Sequence, residues 1–80
     1  MKGWWHDDGE GLSYTLWSSQ YEYNNYTADM NGYVDNLLNP KTHMRCWRAF
    51  VAVRNEYPCL GWYSTAEKAM QAVTDYLYQQ

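Results

Sequence analysis

The alternation of apolar and polar positions divides the chain into short strands and one unmistakable helix. Leu12-Ser13-Tyr14-Thr15-Leu16-Trp17 alternates apolar with hydroxyl side chains, the period of two that a half-buried strand requires. Ser18-Ser19 can turn the chain, and Gln20-Tyr21-Glu22-Tyr23-Asn24 alternates again, so a second strand is expected there. Met44 to Arg54 is the clearest strand. Trp47, Ala49, Val51 and Val53 fall on one face, and Cys46, Phe50 and Ala52 on the other, interrupted by Arg48. Apolar groups on both faces mark a central strand. Asn55-Glu56-Tyr57-Pro58 reads as the following turn, since proline holds φ near −65°. Cys59-Leu60-Gly61-Trp62-Tyr63 then returns, with Arg54 expected opposite Cys59, Val51 opposite Trp62 and Phe50 opposite Tyr63.

Two stretches carry the helical period. Met30, Tyr33, Val34, Leu37 and Leu38 keep the spacing of a helix face, with Thr27 to cap it and Asn39-Pro40 to stop it. Asn31-Gly32 argues the other way, as a two-residue hairpin signal. The spacing favours a short helix near 28–38. The C-terminal stretch has no competing signal. Ser64-Thr65-Ala66-Glu67 has the form of a capping box. Ala66, Ala69, Met70, Val73 and Leu77 then share one face, with Tyr76 beside them, while Glu67, Lys68, Gln71 and Asp75 take the other. The expected fold is α+β: an antiparallel sheet of three to four strands, a C-terminal helix packed on one face, and a second short helix near 28–38. Eighty residues are expected to form a single domain, 1–80.

Composition narrows the function. A domain this small buries about 60% of its unfolded surface. It cannot hide five Trp and nine Tyr in one core. Rings left at the surface are the side chains that anchor protein interfaces. The charge is unevenly divided. Residues 1–40 set Lys2 against Asp7, Asp8, Glu10, Glu22, Asp29 and Asp35, a net of −5, and residues 41–80 carry a net of +2. A total of −3 disfavours direct nucleic-acid binding, which needs cations against phosphates. No apolar run reaches membrane-spanning length, and Met1 to Asp8 has no apolar leader core. A cytoplasmic protein with no membrane partner and no disulfide is therefore expected.

Candidate chemistry is sparse. His43, Cys46 and Cys59, with His6, are zinc-ligand types, but their spacing lacks the paired ligands of a zinc site. Neither cysteine is placed beside an activating base, so no enzyme, no metal and no cofactor is expected. The two thiols are expected to be ordinary buried groups. Lys41, His43, Arg45, Trp47 and Arg48 form a short basic, aromatic patch that could contact a single strand. The stronger binding reading lies in the first third. Trp4, Trp5, Asp7, Asp8, Glu10, Tyr21, Glu22, Tyr23 and Tyr26 combine rings with carboxylates, an acidic clamp suited to a basic surface.

The unit Arg48-Ala49-Phe50-Val51-Ala52-Val53, Cys59-Leu60-Gly61-Trp62-Tyr63 and Ser64-Thr65-Ala66-Glu67-Lys68-Ala69-Met70 resembles the strand–turn–strand–helix ending of several small phage-encoded anti-CRISPR proteins. Size, acidity and aromatic content are similar too. The resemblance implies an inhibitor from a phage or mobile element. Such a protein binds a host complex, a Cas effector with a basic nucleic-acid-binding surface, and blocks it sterically without catalysis. A second resemblance, carried by Pro58-Cys59-Leu60-Gly61 and Thr65-Ala66-Glu67-Lys68-Ala69, is to the HicB-like antitoxin half-domain, and implies a small regulatory module.

Overall fold

The structure is a computed structural model that describes residues 4–7, 10–17 and 30–78. Five strands run in chain order: β1 (Trp4–Asp7), β2 (Ser13–Trp17), β3 (Met30–Leu38), β4 (Arg45–Val51) and β5 (Cys59–Tyr63), followed by helix α1 (Ala66–Tyr78). All pair antiparallel with their neighbours, so the sheet is a meander of order β1-β2-β3-β4-β5. The α+β class holds. The sheet has five strands rather than three to four, and α1 is the single helix among the described residues. The strand read at 20–24 lies outside them.

The stretch expected to be a helix near 28–38 is strand β3, the longest strand of the sheet. Its period-two pattern was hidden by apolar groups on both faces. Val34 is fully buried beneath α1, while Tyr33 and Leu37 project from the opposite face. The β-branched Val34 and the ring of Tyr33 favour a strand. Gly32, costly in a helix, sits where α1 approaches most closely.

The core is a thin layer between sheet and helix. Leu16, Val34, Ala49 and Val51 from the sheet meet Ala69 and Val73 of α1, all buried. The helix lies on β3, β4 and β5. Its expected face is the observed one: Met70, Tyr76 and Leu77 pack beside the buried pair, and Glu67, Lys68, Gln71 and Asp75 are exposed. The cap differs in detail. Thr65 Oγ1 accepts from the Lys68 N–H at 3.2 Å, so Thr65 is the N-cap and Lys68 the third helical residue, which leaves Glu67 outside any reciprocal bond to the cap.

The β4–β5 connection departs from the expected register. Trp47 faces Tyr63, Arg48 faces Trp62, Ala49 faces Gly61 and Phe50 faces Cys59, with a bulge at that last step. The reversal itself is two residues earlier than expected, at 53–56 in place of 55–58. Val53 and Glu56 exchange backbone hydrogen bonds of 3.0 and 2.8 Å around Arg54-Asn55, both at positive φ (49° and 66°). Two consecutive left-handed residues make a type I′ turn, whose preferred sequence is Asn-Gly. Converting Arg54-Asn55 to Asn-Gly, by Arg54→Asn with Asn55→Gly, is expected to add about 1 kcal/mol. Thermal denaturation should then show a midpoint higher by about 4–8 °C. An unchanged or lower midpoint would contradict the turn assignment.

Candidate functional site

The two faces of the sheet have different fates. Trp5, Tyr14, Leu16, Val34, Trp47, Ala49, Val51 and Tyr63 point to the helix side, where each is buried or packed on the core. The alternate positions point away: Thr15 on β2, Tyr33, Asp35 and Leu37 on β3, Cys46, Arg48 and Phe50 on β4, Cys59 and Trp62 on β5. Among the described residues no element lies over this second face. The aromatics of β4 and β5 are thus divided. Trp47 and Tyr63 pack against the core on the helix side, whereas Phe50 and Trp62 lie on the other face.

Cross-strand register assembles a cluster at the centre of the open face. Asp35 stands opposite Arg48, and Arg48 opposite Trp62. The guanidinium binds the carboxylate through two parallel bonds, Nε to Oδ1 at 3.0 Å and Nη2 to Oδ2 at 2.6 Å. Its central carbon lies 4.9 Å from the Phe50 ring centre and 5.8 Å from that of Trp62. Phe50 in turn stacks on Tyr33, centroids 4.5 Å apart at 16°. The planar guanidinium suits this double duty, bidentate to a carboxylate and flat against rings. The Asp35 hydrogen bond raises the Arg48 pKa further above its usual range. Burial, then the charge of Asp35, pushes the Tyr33 hydroxyl above the usual phenol value, so Tyr33 stays a neutral donor at physiological pH. The cluster is mutually bonded, aromatic and nearly charge-neutral.

The residues singled out in the sequence are scattered around this cluster. Trp5 is half-buried and packs on the core, so it serves the fold. Asp7 Oδ1 accepts from the Gly11 N–H at 2.9 Å, fixing the β1–β2 turn. Glu10 is exposed within that turn at φ 53°. The backbone of Trp4 pairs with that of Trp17 on the sheet edge. Asp8, Tyr21, Glu22, Tyr23 and Tyr26 lie outside the described residues. The basic patch does not hold together. Trp47 turns to the helix side against Tyr14, with rings 5.9 Å apart, while Arg48 turns to the open face and is matched by Asp35. Cys59 is exposed rather than buried, and Cys46 is half-buried. Their partners, Phe50 and Leu37, hold them at opposite ends of β4. Among the described residues no group of three or more metal-ligand side chains converges.

The helical spacing of the 28–38 stretch conceals the juxtaposition of Tyr33 and Asp35 with Phe50 and Arg48, which strand pairing creates. The signal available was the strand alternation Tyr33, Asp35, Leu37 against Cys46, Arg48, Phe50. A shallow hollow of about 340 Å³, lined by Val53, Arg54, Glu56 and Tyr76, lies at the type I′ turn and gathers no comparable set of groups. No helix of the described residues is long and apolar enough to cross a membrane. Comparison with protein families, with curated proteins and with solved structures finds no match to this chain.

Proposed function

We propose that this protein is a binding module that inhibits a larger host assembly by steric occupation, without catalysis, in the manner of an anti-CRISPR protein. The observation that carries the reading is the open sheet face, where Tyr33, Phe50, Arg48 and Trp62 form one pre-ordered cluster. Trp, Tyr and Arg are the residues that dominate binding energy at protein interfaces, and fixing them before contact lowers the ordering cost. Arg48 is already neutralised by Asp35, so the cluster offers phosphates little. That favours a protein partner over a nucleic acid. The acidic first third of the chain fits a partner whose surface is basic. A CRISPR effector complex is such a partner, and the resemblance of the C-terminal unit to anti-CRISPR proteins supports that choice.

The test uses the full chain, immobilised and exposed to purified effector complexes from CRISPR-bearing hosts. Retention of an effector and loss of its target-DNA binding are expected. Trp62→Ala, at an exposed position, should weaken retention by about tenfold, since one interface anchor contributes about 1–2 kcal/mol. Failure of every effector to be retained would remove the anti-CRISPR reading. Retention unaffected by Trp62→Ala would remove the open face as its site.

A further inference from the structure

The β3–β4 hairpin projects as a two-stranded ribbon beyond its neighbours. β2 ends where Ser13 faces Asp35, and β5 ends where Tyr63 faces Trp47. The rows Leu37–Cys46 and Leu38–Arg45 and the loop between them therefore stand alone. Alternation places Leu37 on the open face and Leu38 on the helix-side face, yet both are exposed, at 36% and 58%. Met44 is exposed at 66%, and Pro40 is exposed at the turn. Leu38 and Met44 together make a largely uncovered apolar point.

The backbone donors of the loop are paired internally. The Asn39 N–H donates to Met44 O at 2.8 Å, and the His43 N–H to Asn39 O at 2.8 Å. Asn39 Oδ1 accepts from the N–H groups of Lys41 and Thr42, at 2.8 and 3.3 Å. Thr42 Oγ1 accepts from the Met44 N–H at 3.3 Å. Pro40 has no N–H, so every backbone donor from Asn39 to Met44 is satisfied within the loop. An exposed turn usually leaves some of these to water. A turn that must leave water cannot, because an unpaired donor is costly there. His43 is held at φ 60° to complete the arrangement, a conformation that favours glycine.

The charge follows the same geometry. Residues 36–55 contain Lys41, Arg45, Arg48 and Arg54 and no carboxylate, while the remainder of the chain holds all nine Asp and Glu. Lys41, His43 and Arg45 are exposed in the same loop, and the Arg45 guanidinium donates to Asn36 Oδ1 at 3.0 Å.

We propose that the hairpin tip, residues 37–45, is a membrane-contact finger that seats Leu37, Leu38, Pro40 and Met44 in the interface of an anionic bilayer, with Lys41, His43 and Arg45 among the headgroups. A bilayer covers both faces of the ribbon at once, whereas a flat protein surface would leave Leu37 or Leu38 in water. A nucleic acid would take up the cations and leave the apolar groups uncovered. Long basic side chains reach back to headgroups while apolar neighbours sink, and binding of this kind grows with buried apolar area and anionic lipid. The contact is peripheral and reversible, and is separate from the open-face cluster.

Flotation of the full chain with vesicles tests it. Vesicles of phosphatidylcholine with about 30% phosphatidylserine should carry the protein up, and phosphatidylcholine alone should carry at least about fivefold less. Binding should fall as salt rises from about 50 to 300 mM. Leu38→Ser with Met44→Ser should lower binding by about tenfold and leave the melting midpoint unchanged, because both side chains are exposed. Lys41→Glu should abolish the preference for anionic vesicles. No flotation with anionic vesicles at low salt would overturn the proposal, as would full binding by the Leu38→Ser, Met44→Ser variant. Trp62→Ala should float like the unmodified chain, which separates this result from the protein-partner test.

Discussion

Gly32→Ala is expected to destabilise the domain by about 3 kcal/mol, a drop of about 12–24 °C in melting midpoint at this chain length. A Cβ built at Gly32 lies 2.7 Å from the carbonyl oxygen of Phe50 and 2.7 Å from Cγ1 of Val73. Both distances are shorter than any real Cβ contact. The Phe50 carbonyl is backbone of the neighbouring strand, and Val73 is fully buried. Neither can yield cheaply, so the helix must lift from the sheet or β3 must shift. A lifted helix uncovers Val34 and Val51, two of the largest fully buried side chains. Thermal and urea denaturation measure the effect. Adding Val73→Ala removes one obstacle and leaves the other, so it should recover only part of the lost compatibility between helix and sheet. A Gly32→Ala midpoint within a few degrees of the parent would sink the close approach.

Arg48→Glu should cost about 3 kcal/mol at neutral pH and, on the proposed function, eliminate partner binding through the open face. The substitution removes a bidentate bond and the cation lying over Phe50 and Trp62, and sets a second carboxylate opposite Asp35. The pair is partly exposed, with side chains at 30% and 22%, so the full figure for a buried pair does not apply. Proximity of two carboxylates raises the folded-state pKa of one of them above its unfolded value of about 4. The repulsion is then relieved below about pH 4, and its destabilising contribution grows as pH rises through the raised value. Denaturation at pH 4 and pH 7 reads this directly. A variant whose deficit relative to the parent does not shrink toward pH 4 would show that Asp35 and residue 48 are not coupled.

The sequence made α1 legible because its period, cap and polar face agree. The central strand was equally clear, since Trp47, Ala49 and Val51 alternate with Cys46, Arg48 and Phe50 over six residues. Strand β3 was not. Met30, Tyr33, Val34, Leu37 and Leu38 satisfy a helical spacing and a strand with apolar groups on both faces equally well. Only tertiary contact, the close seat of Val73 on Gly32, decides between them. The site was hidden for the same reason. Tyr33 and Asp35 become neighbours of Phe50 and Arg48 only when β3 is a strand in this register. The β4–β5 register differs because the sequence suggests a turn over Asn55–Pro58, when the left-handed pair Arg54-Asn55 makes the reversal and a bulge near Leu60 absorbs the difference.

The order of the meander has a consequence for how the chain is made. Each strand pairs with its predecessor, so the sheet can be complete as soon as Tyr63 has been added. Its cover comes last, from residues 66–78. During synthesis the face bearing Val34, Ala49 and Val51 is therefore assembled before anything shields it. Among the described residues, nothing covers that face until α1 has emerged. The Thr65 cap, which starts the helix immediately after β5, shortens that interval by giving the newly emerged segment a reason to coil where it must land.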